Sequence, residues 1–281
     1  MRRTFHRAAT WFAVVLAVVI VLPAPVLAGT GPRAREAPAP VTALPDLTRY
    51  FTGFDGTFVL FQVSSGRTLR HNPAQAAELL APNSTFKIPH ALIALDTGVA
   101  DGPDFPLPWD GRARWRESWN RDHTLASAIE VSAVWYFQEI ARRIGSECMK
   151  NGLARIGYGN EDISGGLDRF WIQSSLKISA DDQVLFLRRL MAEVLPFRPE
   201  HQRMVKDMMI VRRGETGTLR GKTGTGADAA GTTAVIGWFV GALEVPGDRF
   251  VFAANLKGRG ATGVRAQQIA ETVLADLGVL E

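Results

Sequence analysis

Two Ser-x-x-Lys motifs in the sequence could each supply a nucleophilic hydroxyl and an amine that activates it. They run from Ser84 to Lys87 and from Ser174 to Lys177. On a helix, residues three apart share a face, so the lysine amine can reach the serine hydroxyl. About one such match is expected by chance in a chain of this length. The motif alone therefore does not identify a nucleophile, and the residues around each copy must distinguish Ser84 from Ser174.

The surroundings favour Ser84 as the nucleophile. Ser84 follows Pro82 and Asn83 and opens an amphipathic helix that we predict over residues 84–96. Backbone N–H groups at the start of that helix could stabilise an oxyanion. Ser174 instead precedes a predicted helix cap at Ser179, so we interpret it as structural. Considered without other motifs, Ser84 would be a plain helix cap beside an exposed lysine.

Further residues that could carry chemistry follow Ser84 along the chain. The blocks are Ser132-Ala133-Val134, Tyr158-Gly159-Asn160, Phe170-Trp171, Lys222-Thr223-Gly224 and Arg265. Each block has a structural explanation when it is considered alone, such as a helix-interior serine, a turn, a core tryptophan or a solvated strand lysine. Chance is a much poorer explanation for all of them in this order.

Together these motifs resemble the class D (oxacillinase-type) serine β-lactamases. The stretch from Pro82 to Pro89 resembles the active-site signature of that family, and the later blocks match in order, so the similarity covers residues 50–278. Class A enzymes share Ser-x-x-Lys and Lys-Thr-Gly but carry Ser-Asp-Asn as the middle element. This chain has Ser132-Ala133-Val134 there, which makes class D the specific match.

The resemblance implies a covalent mechanism and resistance to penicillin-type antibiotics. Ser84 would attack the lactam carbonyl and become acylated. Lys87 would be N-carboxylated by carbon dioxide or bicarbonate, and the carbamate (N6-carboxylysine) would act as general base. Ser132 would relay a proton towards the lactam nitrogen, and Lys222 would complete the catalytic set. We expect no other cofactor and no metal, because the five His form no HExxH or HxxEH pattern.

Carboxylation of Lys87 needs a neutral amine, and apolar surroundings favour one because they lower a lysine pKa. The residues expected to form these surroundings are Phe86, Val131, Trp171 and Ile172. The resemblance also implies that Trp171 donates its indole N–H to the carbamate, which would otherwise be a poorly satisfied buried anion.

The remaining site residues are expected to bind the substrate. Lys222 and Thr223 would lie near the substrate carboxylate, and the planar fork of Arg265 suits bidentate contact with it. The backbone N–H groups of Ser84 and Thr225 would form the oxyanion hole. We assign Tyr158 and Asn160 to substrate binding on the resemblance as well.

The pattern of elements predicts an α+β fold that can position these residues. Strand candidates lie at 57–63, 67–71, 218–223, 232–243 and 249–256, and helix candidates at 84–96, 124–144, 179–193 and 263–277. We therefore predict an antiparallel sheet flanked by terminal helices, with an inserted all-helical region, as in β-lactamases and penicillin-binding transpeptidases. The domain would span residues 46–281, with the sheet part at about 46–80 and 200–281 and the helical part at about 81–199.

The N-terminus has the features of a secretory signal over residues 1–28. Three Arg precede an apolar run from Trp11 to Leu22, and Ala28 supplies a small residue at the cleavage position. This run is short for a membrane span, which needs about 20 residues. A permanent anchor remains the alternative, as does twin-arginine export through Arg2-Arg3. Residues 29–45 would be a linker, and the mature protein would be periplasmic or secreted without a stable membrane anchor.

Composition and charge limit the remaining functional classes. The chain has 281 residues, 46% of them hydrophobic, which excludes a largely disordered protein. The formal net charge is +4, but three Arg and no acid lie in residues 1–28, so the mature chain carries +1. We therefore expect a small-molecule β-lactam substrate and no nucleic-acid partner. The single Cys excludes an internal disulfide, and we predict that Cys148 is a small buried residue.

Two other functions share part of this chemistry. One is a β-lactam-sensing penicillin-binding domain that stays acylated, although such receptors carry several membrane spans. The other is a peptidoglycan transpeptidase or carboxypeptidase, against which a carbamate pocket argues. The motifs favour the hydrolase over both.

Overall fold

A computed structural model describes residues 43–215 and 217–280. The predicted signal peptide at 1–28 lies outside the described residues, as does the predicted linker except for residues 43–45. No helix in the described part of the chain is long and apolar enough to cross a membrane.

The centre of the fold is a six-stranded antiparallel sheet with strand order β2-β1-β8-β7-β6-β5. Its strands are β1 (Asp55–Gln62), β2 (Arg67–His71), β5 (Ile210–Gly214), β6 (Gly217–Ala227), β7 (Ala234–Val245) and β8 (Asp248–Lys257). Two short strands, β3 (Pro106–Leu107) and β4 (His123–Thr124), pair separately. Both ends of the domain therefore contribute to one sheet, which confirms the predicted α+β class. β5 was not predicted from the sequence, because its residues are mostly exposed and do not alternate in polarity.

Helices form the region inserted between β2 and β5 and also cover the opposite face of the sheet. They are α1 (Pro73–Ala76), α2 (Lys87–Asp96), α3 (Leu125–Glu130), α4 (Val134–Ile156), α5 (Ala180–Met191), α6 (Pro199–Met208) and α7 (Gly263–Asp276). Short 3-10 turns lie at Thr48–Phe51, Asn83–Phe86 and Glu117–Trp119.

The sheet separates two hydrophobic cores, because successive strand residues point to opposite faces. On β8, Val251 packs in the core shared with the helical region, whereas Phe250 and Phe252 pack in the core under α7. The central strands are buried on both faces. The site residues of β6 are thus held on a rigid sheet between two packed layers.

The helix predicted over residues 124–144 is interrupted in the structure. α3 ends at Glu130, Ser132 takes a left-handed backbone conformation with φ of 59°, and α4 begins at Val134 and continues to Ile156. The apolar spacing continues through the break, and neither Gly nor Pro marks it, so periodicity alone predicted one helix. Ser132 is consequently a loop residue between two helices and not a helix-interior residue.

Cys148 is exposed, so the prediction that it is buried was wrong. Gly145 departs from helical geometry within α4, with φ of 77°. After that kink the neighbouring Met149 occupies the core and Cys148 lies on the outer face.

Candidate active site

Ser84 lies in the 3-10 turn that leads directly into α2. The residue before it, Asn83, has a left-handed backbone with φ of 50°, which asparagine adopts more readily than most residues. Its backbone N–H donates to the carbonyl of Trp171 at 3.0 Å, and its side-chain Nδ2 donates to the carbonyl of Ala81 at 3.0 Å. These bonds fix the turn and therefore the direction of the Ser84 side chain.

Lys87 contacts Ser84 directly. Its Nζ donates a hydrogen bond to Ser84 Oγ at 3.0 Å, as the three-residue spacing predicts. The side chain is fully buried. Burial lowers the pKa of Lys87 well below its usual value, and the charges of Lys222 and Arg116 lower this pKa further. The environment therefore favours the neutral amine.

An aromatic cluster surrounds the Lys87 amine. Lys87 Nζ lies 5.4 Å from the centre of the Phe137 ring, and the ring of Phe86 stacks on Trp171 with centres 5.6 Å apart. Trp171 is almost fully buried, yet none of the residues that the structure describes accepts a hydrogen bond from its Nε1. The buried indole of Trp238, in contrast, donates to the Ala81 carbonyl at 2.9 Å.

The expected walls of this apolar pocket differ in their burial. Phe86 and Trp171 are buried, and Val131 is half-buried against the main core. Ile172 does not join the cluster, because its side chain is 37% exposed. It follows Trp171 directly, and the chain turns its side chain outward there while the indole faces inward.

Lys222 and Ser132 meet across the site. Lys222 Nζ donates to Ser132 Oγ at 3.0 Å and to the Thr223 carbonyl at 3.1 Å. Burial is the main cause that lowers the pKa of Lys222 to about 7, and the charge of Arg116 adds to it. The left-handed conformation of Ser132 aims its hydroxyl at β6. Two lysines of lowered pKa therefore each contact a serine hydroxyl.

The edge of β6 presents backbone donors beside Ser84. Gly221 N–H donates to the Met209 carbonyl at 2.7 Å on the side away from β7. Because strand N–H groups alternate in direction, those of Thr223 and Thr225 point the same way. β5 pairs only with residues 217–220, so this side of Thr225 is not covered by a strand among the described residues.

Gly224 allows β6 to approach the turn that carries Ser84. A Cβ atom at this position would lie 2.9 Å from the carbonyl oxygen of Pro82 and 3.3 Å from the backbone nitrogen of Thr85. A larger residue would push the strand away from the turn at Ser84. The glycine of the Lys-Thr-Gly block thus sets the distance between Ser84 and Thr225.

Arg265 lies in the first turn of α7, next to the same strand. Gly263 N–H donates to Thr225 Oγ1 at 2.9 Å, which fastens the start of α7 to β6. Arg265 is exposed and Nη1 lies 3.4 Å from Gln268 Oε1. Among the residues described, no carboxylate pairs with Arg265. Its charge is available to an anion bound near Thr223 and Thr225.

Tyr158 and Asn160 do not line the site, contrary to the assignment from the motifs. Tyr158 is fully buried behind Phe86, with ring centres 5.8 Å apart, and burial raises the pKa of its hydroxyl. Asn160 uses both ends of its side chain to hold a neighbouring loop: Nδ2 donates to the Ser175 carbonyl at 3.0 Å, and Oδ1 accepts from Lys177 N–H at 2.8 Å. The Tyr158-Gly159-Asn160 block therefore holds that loop in place.

Arg116 was missed from the sequence, although it affects both lysines. It lies in a loop beside the site, where its Nη1 and the Trp119 Nε1 both point at the Val131 carbonyl, at 3.4 Å and 2.9 Å. The exposed Trp115 packs edge-on against Trp119. The alternation of Arg and Trp in this loop was the available signal, because exposed aromatic residues beside cations often mark a binding surface.

Comparisons with known proteins agree with this geometry. Residues 56–275 match the family model described as the penicillin binding protein transpeptidase domain. The curated "Probable beta-lactamase YbxI" of Bacillus subtilis (strain 168) is 44% identical over 231 residues, which cover 82% of this chain and 84% of the relative. The solved structure of class D beta-lactamase BAT-2 is 42% identical, with a TM-score of 0.80, and the match covers 84% of this chain and 97% of that one.

A receptor domain is also similar in structure. The C-terminal domain of the Bacillus licheniformis BlaR penicillin-receptor has a TM-score of 0.81 and 33% identity, over 85% of this chain and 97% of the receptor chain. The same fold therefore occurs in proteins named as hydrolases and in one named as a receptor. The fold alone does not separate the two functions, and the site residues must do so.

Proposed function

The chain belongs to the class D β-lactamases within the penicillin-binding transpeptidase family, and we propose that Ser84 is its nucleophile and N-carboxylated Lys87 its general base. The membership confirms the resemblance predicted from the motifs. The chain is accordingly a hydrolase that opens the β-lactam ring of penicillins through a serine acyl-enzyme.

The surroundings of Lys87 fit a carbamate. Carbon dioxide reacts only with a neutral amine, and burial lowers the pKa of Lys87 in favour of that form. When present, a carboxylated lysine supplies a general base for acylation and for deacylation. The nearby cationic groups of Lys222 and Arg116 would oppose a charged amine but favour an anion at the same position.

A buried anion also needs hydrogen-bond donors. Trp171 Nε1 is an indole donor without an acceptor among the described residues, and its ring belongs to the cluster around Lys87. Ser84 Oγ lies 3.0 Å from Lys87 Nζ and carries the second donor. These two groups would donate hydrogen bonds to the carbamate.

The chain's own residues would carry the other steps of the reaction. The backbone N–H groups of Ser84 and Thr225 would stabilise the oxyanion that forms on the lactam carbonyl. Ser132 would pass a proton to the lactam nitrogen, and Lys222, 3.0 Å from Ser132 Oγ, would orient that hydroxyl and supply positive potential. Arg265 and Thr223 would bind the substrate carboxylate, because Arg265 has no described carboxylate partner of its own.

The single observation that carries this proposal is the 3.0 Å contact of a fully buried Lys87 amine with Ser84 Oγ. It is tested by hydrolysis of oxacillin after degassing at low pH, with and without added bicarbonate. We expect bicarbonate to restore the lost activity of the wild type. Lys87→Ala should abolish acylation or trap the acyl-enzyme at every bicarbonate concentration.

Lys177→Ala is the matched control, since Lys177 ends the second Ser-x-x-Lys motif. It should respond to bicarbonate as the wild type does. A wild type that is indifferent to bicarbonate, or a Lys87→Ala enzyme with full turnover, would mean that Lys87 acts as a plain amine or not at all.

We also propose that the protein is exported, on the strength of the basic residues, apolar run and Ala28 in residues 1–28. The mature enzyme would then act in the periplasm or outside the cell, where it meets β-lactams before they reach their targets. Sequencing of the N-terminus of the exported protein should begin at Gly29. An intact N-terminus in the membrane fraction would favour the permanent anchor.

A further inference from the structure

His90 is a fully buried histidine that no described group satisfies. Neither Nδ1 nor Nε2 has a hydrogen-bond partner among the residues that the structure describes. His123 also has little exposed surface, yet its Nδ1 lies 2.9 Å from Ser127 Oγ and its Nε2 lies 3.0 Å from the Ser118 carbonyl. A buried polar group without a partner lowers stability, so His90 needs an explanation that His123 does not.

The position of His90 is the aromatic cluster around Lys87. Its ring centre lies 5.2 Å from that of Phe86, 5.2 Å from that of Phe137 and 5.3 Å from that of Trp171. Lys87 Nζ packs on the same Phe137 ring at 5.4 Å. The imidazole and the amine therefore share one buried compartment with the Trp171 indole.

Lys87 and His90 are three residues apart on α2 and so share a face of that helix. Burial is the main cause that lowers the pKa of His90 to about 3, and the charge of Lys87 is the other cause. His90 is thus a neutral imidazole, with one N–H donor and one acceptor nitrogen, whose ionisable neighbour is the Lys87 amine.

We propose that His90 is a positioning residue for N-carboxylated Lys87, and that its imidazole N–H donates a hydrogen bond to the carbamate. This inference rests on the proposed function. Carboxylation forms a bond between the neutral Lys87 nitrogen and the carbon of carbon dioxide and releases one proton to solvent, so the side chain becomes an anion. That anion needs donors in a compartment that excludes water.

His90 has two fully buried ring nitrogens without a partner, and the Trp171 indole N–H also has no acceptor among the residues that the structure describes. Trp171 belongs to the loop before α5, whereas His90 belongs to the same helix as Lys87. Two donors from different elements would fix the plane of the carbamate. A hydrogen bond to the carbamate would give the His90 N–H an acceptor, whereas packing against three aromatic rings does not.

The test measures carboxylation itself. Protein equilibrated with 13C-labelled bicarbonate shows a carbamate carbon signal in NMR, and its intensity against bicarbonate concentration gives an apparent affinity. His90→Phe keeps a ring in the cluster but has no donor, whereas His90→Gln keeps an N–H donor without the ring. Removal of a hydrogen bond to a charged group should weaken the apparent affinity about tenfold or more in His90→Phe. His90→Gln should retain most of it.

The outcomes separate the two proposals. A wild type without a carbamate signal would overturn the carboxylation of Lys87 and this inference with it. A wild type with the signal and a His90→Phe protein of equal affinity would overturn only the role of His90. If both variants lost apparent affinity for bicarbonate to the same extent, the N–H donor kept in His90→Gln would have no effect. That result would also contradict the role of His90.

A second measurement uses the wild type alone, in case His90→Phe does not fold. The ring nitrogens of 15N-labelled His90 should change their chemical shifts when bicarbonate is added, because the N–H gains an acceptor. The ring of His123, which already has two partners, should not change. Unchanged His90 shifts at a bicarbonate concentration that saturates the carbamate signal would overturn the inference.

Discussion

Lys222 Nζ lies 3.0 Å from Ser132 Oγ, and this hydrogen bond joins β6 to the break between α3 and α4. The two residues are 90 positions apart in the chain. The sheet supplies the amine and the helical region supplies the hydroxyl, so the proton relay that we propose would depend on how the two parts of the domain pack.

The first prediction concerns the pH dependence of substrate capture. Burial and the charge of Arg116 lower the pKa of Lys222 to about 7 while Lys87 is an uncarboxylated amine. The anionic carbamate on Lys87 would favour the charged form of Lys222 and so raise this pKa in the carboxylated enzyme. Lys222 is charged below its pKa and neutral above it, so the attraction for the substrate carboxylate is lost as the pH rises. We expect kcat/KM for a penicillin to fall on the alkaline side, with a midpoint above about pH 7. Lys222→Arg, which stays charged, should lack that decline, and a wild-type profile that stays flat to high pH would contradict the assignment.

Arg116 should control the position of that decline. Its charge helps to lower the pKa of Lys222, so Arg116→Gln should move the alkaline limb of kcat/KM to higher pH. Arg112 is the control because it lies in the same loop, is 85% exposed and pairs with Asp110 at 4.0 Å. Arg112→Gln should leave the limb in place. If both substitutions moved the limb by the same amount, Arg116 would act only as one of several positive charges in the loop and not through its position beside Lys222.

The two Ser-x-x-Lys motifs offer a matched pair of variants for acylation. Ser84→Ala should lower the rate of penicillin hydrolysis on the order of 10⁴-fold or more, as expected when a nucleophile is removed, and should form no covalent adduct by intact mass. Ser174→Ala should keep the wild-type rate of hydrolysis and should still form the covalent adduct, because no described hydrogen bond links Ser174 to Lys177. An adduct on Ser84→Ala protein would place the nucleophile elsewhere.

The Tyr158-Gly159-Asn160 block should matter for stability and not for substrate binding. Asn160→Ala removes hydrogen bonds to residues 175 and 177 and should lower the free energy of unfolding by about 1–2 kcal/mol. Denaturant unfolding measures this loss, and KM should stay at the wild-type value. A raised KM with unchanged stability would restore Asn160 to the substrate site.

Gly159 provides a stricter test of the same block. Its φ is 58°, and a Cβ would overlap the carbonyl oxygen of Lys177. Gly159→Ala should therefore destabilise the protein by about 2–4 kcal/mol, measured by urea unfolding. A variant as stable as the wild type would mean that the loop at residues 175–177 does not need this close approach.

Local spacing predicted the parts of the site that depend on one helix turn. The contact between Ser84 and Lys87 follows from residues three apart, and the caps at Ser179 and Thr262 begin α5 and α7 where the sequence places the helix starts. The sheet followed from strand patterns at the two ends of the domain, and the inserted helices followed from apolar residues at helical spacing between them. The family resemblance implied only that Lys222 and Ser132 both belong to the site. Their direct contact was not predicted, since no spacing connects β6 with the break after α3.

Other features needed the tertiary structure. The break at Ser132 has no Gly or Pro to announce it, and the roles of Tyr158 and Asn160 depend on what packs against them. His90 follows Lys87 at the same three-residue spacing that separates Lys87 from Ser84, which places it on the same helix face. The sequence could not predict that the His90 nitrogens lack partners, because the burial of a residue depends on the other elements that pack against its helix.

The most direct test of the account is steady-state hydrolysis of oxacillin by the purified protein in bicarbonate buffer. This assay distinguishes a hydrolase from a sensor such as the receptor domain with the same fold, because a sensor that stays acylated would bind the drug without consuming it. We predict many turnovers per active site, with a transient acyl-enzyme on Ser84. A single stoichiometric burst that leaves Ser84 acylated, with no further loss of oxacillin, would contradict the hydrolase.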